Sequence, residues 1–331
     1  MSLVKSIARK IVFPAVVTLN LEKLFSFFAH HNKLILVYHG VVENPDHEVS
    51  LGPIGLKQFE QHLQYFQQNF DVVCQDEIFR MYRTGFVPKR KTIALTFDDG
   101  YENNYTRVFP LLRKYNFPAT MYIISQAIEN EDLITWYDII DFVKTDLNPG
   151  KIDVSMFNRP PLSSIDDLKV FAKSLNIENR NRLYVEIRKQ VKIEDYIPQF
   201  PREYWKLMNR QQLKELSDSG LVEIAAHSHH HPNLGLISLA DAGKEITQSK
   251  KTLEDLIQKE VYSLAFPDGS YTEDVKKICL EAGYRNLLAV DPQCDSDKND
   301  LSILPRCCIS STTTFESCMI HVNREFNRLG F

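Results

Sequence analysis

The chain has 331 residues, enough to bury one large α/β domain or two modest ones, and its 44% hydrophobic and 25% charged residues give the balance of a folded soluble protein. A formal net charge of -4 supplies no concentrated basic face, so a nucleic-acid partner is not expected, whereas an acidic, metal-lined cleft is compatible with it. Six cysteines, Cys74, Cys279, Cys294, Cys307, Cys308 and Cys318, show neither Cys-x-x-Cys nor zinc-knuckle spacing and read as reduced, half-buried thiols.

Lys5, Arg9 and Lys10 precede the apolar run Ile11 to Leu19, the outline of a signal-peptide core. Asn20, Glu22 and Lys23 interrupt that run well short of the roughly 20 apolar residues a membrane span needs, and no small-x-small cleavage site follows. The segment 1–30 therefore reads as an amphipathic helix whose Leu21, Leu24, Phe25 and Phe28 pack on the domain, with peripheral membrane contact through residues 1–28 as the other use of such a stripe. Leu34 to Val37 is a first core strand, and Tyr38-His39-Gly40-Val41 ends it. His39 by itself is a strand-end residue that could pack with Tyr38.

Leu56, Phe59, Leu63 and Phe66 mark a helix, followed by a short strand at 70–73. Thr92 to Thr96 then reads as a buried strand, stopped abruptly by Phe97-Asp98-Asp99-Gly100. Side chains alternate along a strand, so two adjacent acids share one crevice only if the chain is already turning, and only if a cation or solvent neutralises them. A plain Asp-Asp-Gly turn is the simpler reading of that tripeptide. A helix at 105–115 and a strand at 118–124 complete a βα unit.

Residues 129–209 interrupt the alternation. Trp136, Tyr137, Ile139, Ile140, Phe142 and Val143 form an amphipathic helix, and helical runs follow near 168–175 and 180–191. The segment carries no dense ligand cluster, which suits a lid or subdomain that shapes a cleft. Trp136 is open to two uses, core packing or stacking on a sugar. Beyond it, a capped helix from Asn209 leads to the apolar run Glu223 to Ala226 and then to His227-Ser228-His229-His230-His231. His227 and His231 are four apart, the spacing of one face of a helical turn. With one oxygen from Asp98 or Asp99 they would make a two-histidine, one-carboxylate set for Zn²⁺ or another borderline divalent ion, such as Co²⁺ or Ni²⁺. The remaining alternation, a helix at 240–256, a strand and Pro-Asp-Gly turn at 262–269, a helix at 273–281, a strand at 284–290 and a last strand at 302–306, gives about seven strands. The fold expected is a distorted, incomplete (β/α)7-type barrel with an inserted helical lid or subdomain. No internal repeat and no Gly-rich phosphate loop is present.

Thr96-Phe97-Asp98-Asp99-Gly100 and His227 to His231, in that order, resemble the two signatures of the polysaccharide deacetylase family with the NodB homology domain; the resemblance runs, with one large insertion, from about residue 34 to 309, within a domain expected at 31–325. The resemblance implies that Asp98 is the general base and that Asp99, His227 and His231 hold a metal. Tyr38-His39-Gly40-Val41 is similar to the amino-terminal motif of the circularly permuted branch, which would make His39 the acid that protonates the leaving amine, with His321 of Met319-Ile320-His321 as the alternative. Phe266-Pro267-Asp268-Gly269 resembles the motif whose residue after proline offers a backbone N–H to an oxyanion, here Asp268 in place of the usual tyrosine; as plain sequence it is a turn. Pro305-Arg306 resembles a pair in permuted members, so Arg306 would orient Asp98, against the plain reading of a surface salt bridge. The activity implied is metal-dependent deacetylation of an amino sugar in a polysaccharide, glycolipid or surface-glycan precursor. The competing readings are an amidohydrolase of a small non-sugar amide and a non-catalytic carbohydrate-binding relative. Without a clear export signal, the location expected is cytoplasmic, either free or associated with the inner face of the membrane, rather than secreted.

Overall fold

The computed structural model describes residues 12–26, 31–45 and 52–327. Seven parallel strands form its centre: β1 (Lys33–Tyr38), β2 (Thr92–Phe97), β3 (Ala119–Ile123), β4 (Val222–Ala226), β5 (Ser263–Ala265), β6 (Asn286–Ala289) and β7 (Ile303–Pro305). A two-residue strand, β8 (Cys307–Cys308), follows β7 after Arg306 alone. The sheet runs β7-β6-β5-β4-β3-β2-β1-β8. Because β7 lies on one edge and β8 on the other, Arg306 is the residue at which the sheet closes on itself. This is the distorted, nearly closed (β/α) barrel expected from the alternation of strands and helices.

Strand periodicity sorts the side chains. Ile35, Ala94, Tyr122, Ala225, Ala265, Leu288 and Leu304 form one apolar cluster. Their alternating neighbours, among them Leu36, Leu95, Met121, Ile224, Leu264, Leu287 and Ile303, belong to the larger cluster that includes the surrounding helices. Small residues in the first set suit a narrow barrel interior. Ala94, Thr96 and Asp98 share a face of the β2 line, so Asp98 emerges at the carboxyl rim on the interior side. Each rim position is then levelled by the register, since Tyr38 pairs with Phe97 and Ile123 with Ala226.

Residues between β3 and β4 build a second apolar core, in which Trp136, Ile140, Leu168, Leu183 and Ile187 are buried together. The helices Trp136–Val143, Ile165–Lys173 and Ile177–Arg188 carry it, each begun by a side-chain cap from Thr135, Ser164 or Asn176.

The amino-terminal segment departs from the expected helix. Phe13–Thr18 is α-helical and Leu21–Ser26 is a 3₁₀ segment, divided by Asn20, whose φ of 56° ends the first helix in the left-handed region. Leu21 and Leu24 are 41% and 62% exposed, and the buried residue is Glu22, which accepts a hydrogen bond from the Tyr65 hydroxyl at 2.9 Å. The expected apolar stripe thus does not turn those leucines into the domain, because a charged residue paired to tyrosine takes the inward position. Phe28 and residues 1–11 lie outside the described residues. Among the described residues no helix is long and apolar enough to cross a membrane.

Candidate metal centre and its cleft

Asp98 and Asp99 reach one crevice because the chain turns between them. Asp98 follows the strand, donating its N–H to Tyr38 O at 2.9 Å, whereas Asp99 has φ 71° and Gly100 φ 79°. That left-handed turn, which costs a β-carbon residue about 1–3 kcal/mol, redirects Asp99 to the side it would otherwise leave. Gly100 serves a second need: a Cβ there would come within 3.1 Å of the Ile123 side chain.

His227 and His231 also converge through a loop. They are not on one face of a helical turn, as their spacing suggested; no helix is assigned from 227 to 233, and Ser228 and His231 have φ of 59° and 56°. The two rings nonetheless lie 4.8 Å apart, centroid to centroid. Nε2 of His231 is 3.4 Å from Asp99 Oδ1, and Nε2 of His227 is 3.6 Å from the same oxygen and 3.8 Å from Asp98 Oδ2. One donor atom from each of Asp99, His227 and His231 lies within 4.8 Å of the others, and all three residues are buried.

This donor set fits a divalent ion. The Ala265 carbonyl sits 2.8 Å from His227 Nδ1 and can only accept, so Nδ1 carries the proton and Nε2 turns a lone pair toward the carboxylates. Acceptors facing one another without a shared hydrogen call for a cation between them. Two atoms each about 2.1 Å from a tetrahedral ion lie about 3.4 Å apart, and the Asp99 separations have that size. Burial, together with the nearby Arg180 guanidinium, pushes the His231 imidazole well below its ordinary range and keeps it neutral, as a ligand requires. Burial also raises the Asp99 carboxyl, against the pull of His39 and His227.

Asp98 has a different partner. Burial alone would raise its carboxyl, but the Arg306 guanidinium and His227 outweigh burial and hold it well below the carboxylate range. Arg306 Nη1 donates to Oδ1 and Nη2 to Oδ2, both at 2.6 Å, and Arg306 is 3% exposed. It is a buried fork on the carboxylate, not a surface salt bridge.

The cleft around these groups has a volume of about 500 Å³, and His39, Asp98, Asp99, Tyr137, Asp268 and Cys308 are among its walls. His39 is exposed at the end of β1. Before it, Tyr38 stacks on Phe97 with centroids 5.4 Å apart and its hydroxyl lies 3.0 Å from Nδ1 of His62, which burial keeps neutral by dropping it to about 3. Asp268 has φ 54° in a short 3₁₀ turn, and its carboxylate accepts from Lys173 Nζ of the inserted segment at 2.8 Å. His321 stands elsewhere, on the exposed side of helix Phe315–Glu325, 3.8 Å from Glu325. A separate cavity of about 570 Å³ runs along the barrel seam and shares only Arg306 with the cleft.

Several residues of the site carry no motif. Trp136 is 4% exposed and its indole N–H donates to the His231 carbonyl at 3.1 Å, so core packing accounts for it better than an open stacking platform. Tyr137 lies edge-on to the His231 ring at 5.2 Å. Tyr101 donates to Asp138, which also accepts from Thr135 at 2.6 Å and which burial pushes well above the carboxylate range. The run Trp136-Tyr137-Asp138, an acid beside two aromatics at a helix start, was the available signal.

Residues 87–287 match the protein family described as Polysaccharide deacetylase. The chain belongs to that family. Among its relatives, YxkH of Bacillus subtilis (strain 168), provisionally named a polysaccharide deacetylase, is 20% identical over 83% of this chain and 71% of its own. The poly-β-1,6-N-acetyl-D-glucosamine N-deacetylase of Staphylococcus aureus (strain MRSA252) is 20% identical over 80% of this chain and 70% of its own. Solved structures of similar fold include IcaB from Ammonifex degensii, at a TM-score of 0.58 and 16% identity over 89% of this chain and 98% of that one. The Streptococcus pyogenes deacetylase PplD in complex with acetate matches at 0.57 and 18% identity, over 86% and 97%. The Staphylococcus aureus relative corrects the expectation of a cytoplasmic or inner-face enzyme: it is named for action on a polymer, poly-β-1,6-N-acetyl-D-glucosamine, and not on an intracellular precursor.

Proposed function

We propose that the chain hydrolyses the N-acetyl group of an amino sugar within a glycan polymer, with Zn²⁺ as its ion. The observation that carries the reading is the convergence, in one cleft of a polysaccharide deacetylase family member, of a three-donor metal set with a second carboxylate held by a buried arginine. Two imidazoles and one carboxylate suit Zn²⁺, with Co²⁺ and Ni²⁺ as substitutes. When bound at Asp99, His227 and His231, the ion supplies a Lewis acid for the acetamide carbonyl and lowers the pKa of water.

The remaining steps belong to the protein. Asp98 takes the proton from the attacking water, and the Arg306 fork keeps its carboxylate ionised and fixed in angle. The Asp268 backbone N–H donates to the oxygen as negative charge develops on it. His39, one residue past the Tyr38 to Phe97 pair and on the wall of the same cleft, gives a proton to the departing amine. That role for His39, from the first strand and not from the carboxy-terminal segment, is the arrangement of the circularly permuted branch. Residues 31–325 form the deacetylase domain in this reading, with 129–209 as the insertion that shapes the substrate cleft.

The test is acetate release from N-acetylglucosamine oligomers of β-1,6 and β-1,4 linkage, alongside a small non-sugar acetamide, for wild type, His39→Ala and His321→Ala. Wild type should act on an oligomer and not on the small amide. His39→Ala should lose about 10²-fold in kcat, within the range of general acid catalysis, at normal metal content, and His321→Ala should resemble wild type. Loss of activity in His321→Ala with normal turnover in His39→Ala would assign the acid to the carboxy-terminal helix.

A further inference from the structure

The loop that presents His227 and His231 is held in an unfavourable backbone shape, and two of its carbonyls, those of His230 and His231, are capped from the inserted segment. Ser228 and His231 both occupy the left-handed region without being glycine, a conformation that persists only where the surroundings enforce it. Each carbonyl from Ser228 to His231 has a donor. Ser228 O accepts from the Ser249 hydroxyl at 3.1 Å, and His229 O accepts from the Gln126 N–H at 3.1 Å. The next two are capped by insertion side chains: His230 O by Arg180 Nη1 at 3.0 Å, and His231 O by Trp136 Nε1 at 3.1 Å.

Arg180 and Trp136 are themselves coupled. The guanidinium lies over the indole at 5.2 Å, and Arg180 is 1% exposed. Its other hydrogen bonds also end on carbonyls, Nε to Ala172 O at 3.3 Å and Nη2 to Leu175 O at 3.0 Å. A buried cation that spends its fork on carbonyls, not on a carboxylate, is costly to desolvate. Its geometry accounts for that cost: one guanidinium ties the end of helix Ile165–Lys173 to the metal-binding loop, and the indole fixes the carbonyl of the ligand residue itself.

We propose that Trp136 and Arg180 are positioning residues for the metal centre, so that the insertion sets metal affinity through the backbone of His230 and His231 rather than serving only as a cleft wall. This rests on the reading of Asp99, His227 and His231 as metal ligands. Trp136→Phe keeps an aromatic ring and removes the N–H; Arg180→Lys keeps a cation and removes the fork. Outer contacts that orient ligands are worth about 10- to 100-fold in metal affinity.

The experiment titrates metal-stripped full-length protein with Zn²⁺ by calorimetry, with melting temperature measured on the same samples. Leu183→Ala, which opens a cavity in the insertion core without removing a hydrogen bond to the loop, is the control for loss of stability alone. Trp136→Phe and Arg180→Lys should bind Zn²⁺ about tenfold or more weakly than wild type, while Leu183→Ala melts lower yet binds with wild-type affinity. Wild-type affinity in Trp136→Phe and Arg180→Lys would overturn the positioning role while leaving the metal site standing. Equal weakening in Leu183→Ala would reduce the effect to general destabilisation and overturn it too. Absence of stoichiometric Zn²⁺ binding by wild type would remove the metal reading, and this inference with it.

Discussion

Asp98→Asn should lose acetate release by about 10⁴-fold, the upper end for a general base, while keeping close to one metal ion per chain. The amide cannot take a proton from water at any pH of interest. It retains an oxygen to accept from Arg306, so the fork is weakened but not stranded against an apolar group. Asp99→Asn should differ in kind, since it removes the carboxylate that lies 3.4 Å and 3.6 Å from the two imidazole nitrogens; metal and activity should fall together. Elemental analysis and acetate assays on the two variants separate the roles, and equal metal loss in both would mean that the two acids share the ion.

Arg306→Met should lower stability by about 3–5 kcal/mol, the cost of breaking a buried pair by removing one partner. In wild type the arginine holds the Asp98 pKa below its unfolded value, so the pair contributes stability above about pH 4 that is lost as the pH falls through the depressed folded pKa. In the variant the arginine's pull is gone and the Asp98 pKa rises from its wild-type value, so the variant loses less stability than wild type as the pH drops and the carboxyl takes up a proton. The gap between the two proteins should therefore be widest near neutrality and narrow below about pH 4. Urea denaturation from pH 3 to pH 8 reads it directly. A constant gap across that range would mean that Arg306 stabilises by closing the barrel between β7 and β8 and not by its charge on Asp98. Activity should fall with the pair, since a protonated Asp98 cannot act as a base.

The strands and the pairing of motifs were legible because each depends on local pattern. Period-2 alternation placed Ala94, Thr96 and Asp98 on one line, and the two histidine positions followed an apolar run that had to be a strand. What local pattern could not carry was backbone sign. The helical spacing of His227 and His231 was the right distance with the wrong geometry, because left-handed Ser228 and His231 fold the loop back in place of a turn of helix. Likewise nothing in Asp98-Asp99 says which acid leaves the strand direction until φ of Asp99 is known. Arg306 lies 208 residues from the carboxylate it grips, and only the closure of the sheet brings them together. The inward turn of Glu22 in place of Leu21 and Leu24 depended on a buried tyrosine hydroxyl far along the chain. Trp136 read ambiguously for the same reason: its partner, the His231 carbonyl, is 95 residues away.

The most direct test is metal content. Protein purified without chelator and dialysed against Zn²⁺ should carry one ion per chain by elemental analysis, and Asp99→Asn, His227→Ala and His231→Ala should each carry far less while Lys169→Ala, in the cleft wall formed by helix Ile165–Lys173, keeps its ion. A wild-type protein with no stoichiometric ion, or ligand variants that retain it in full, would contradict the account.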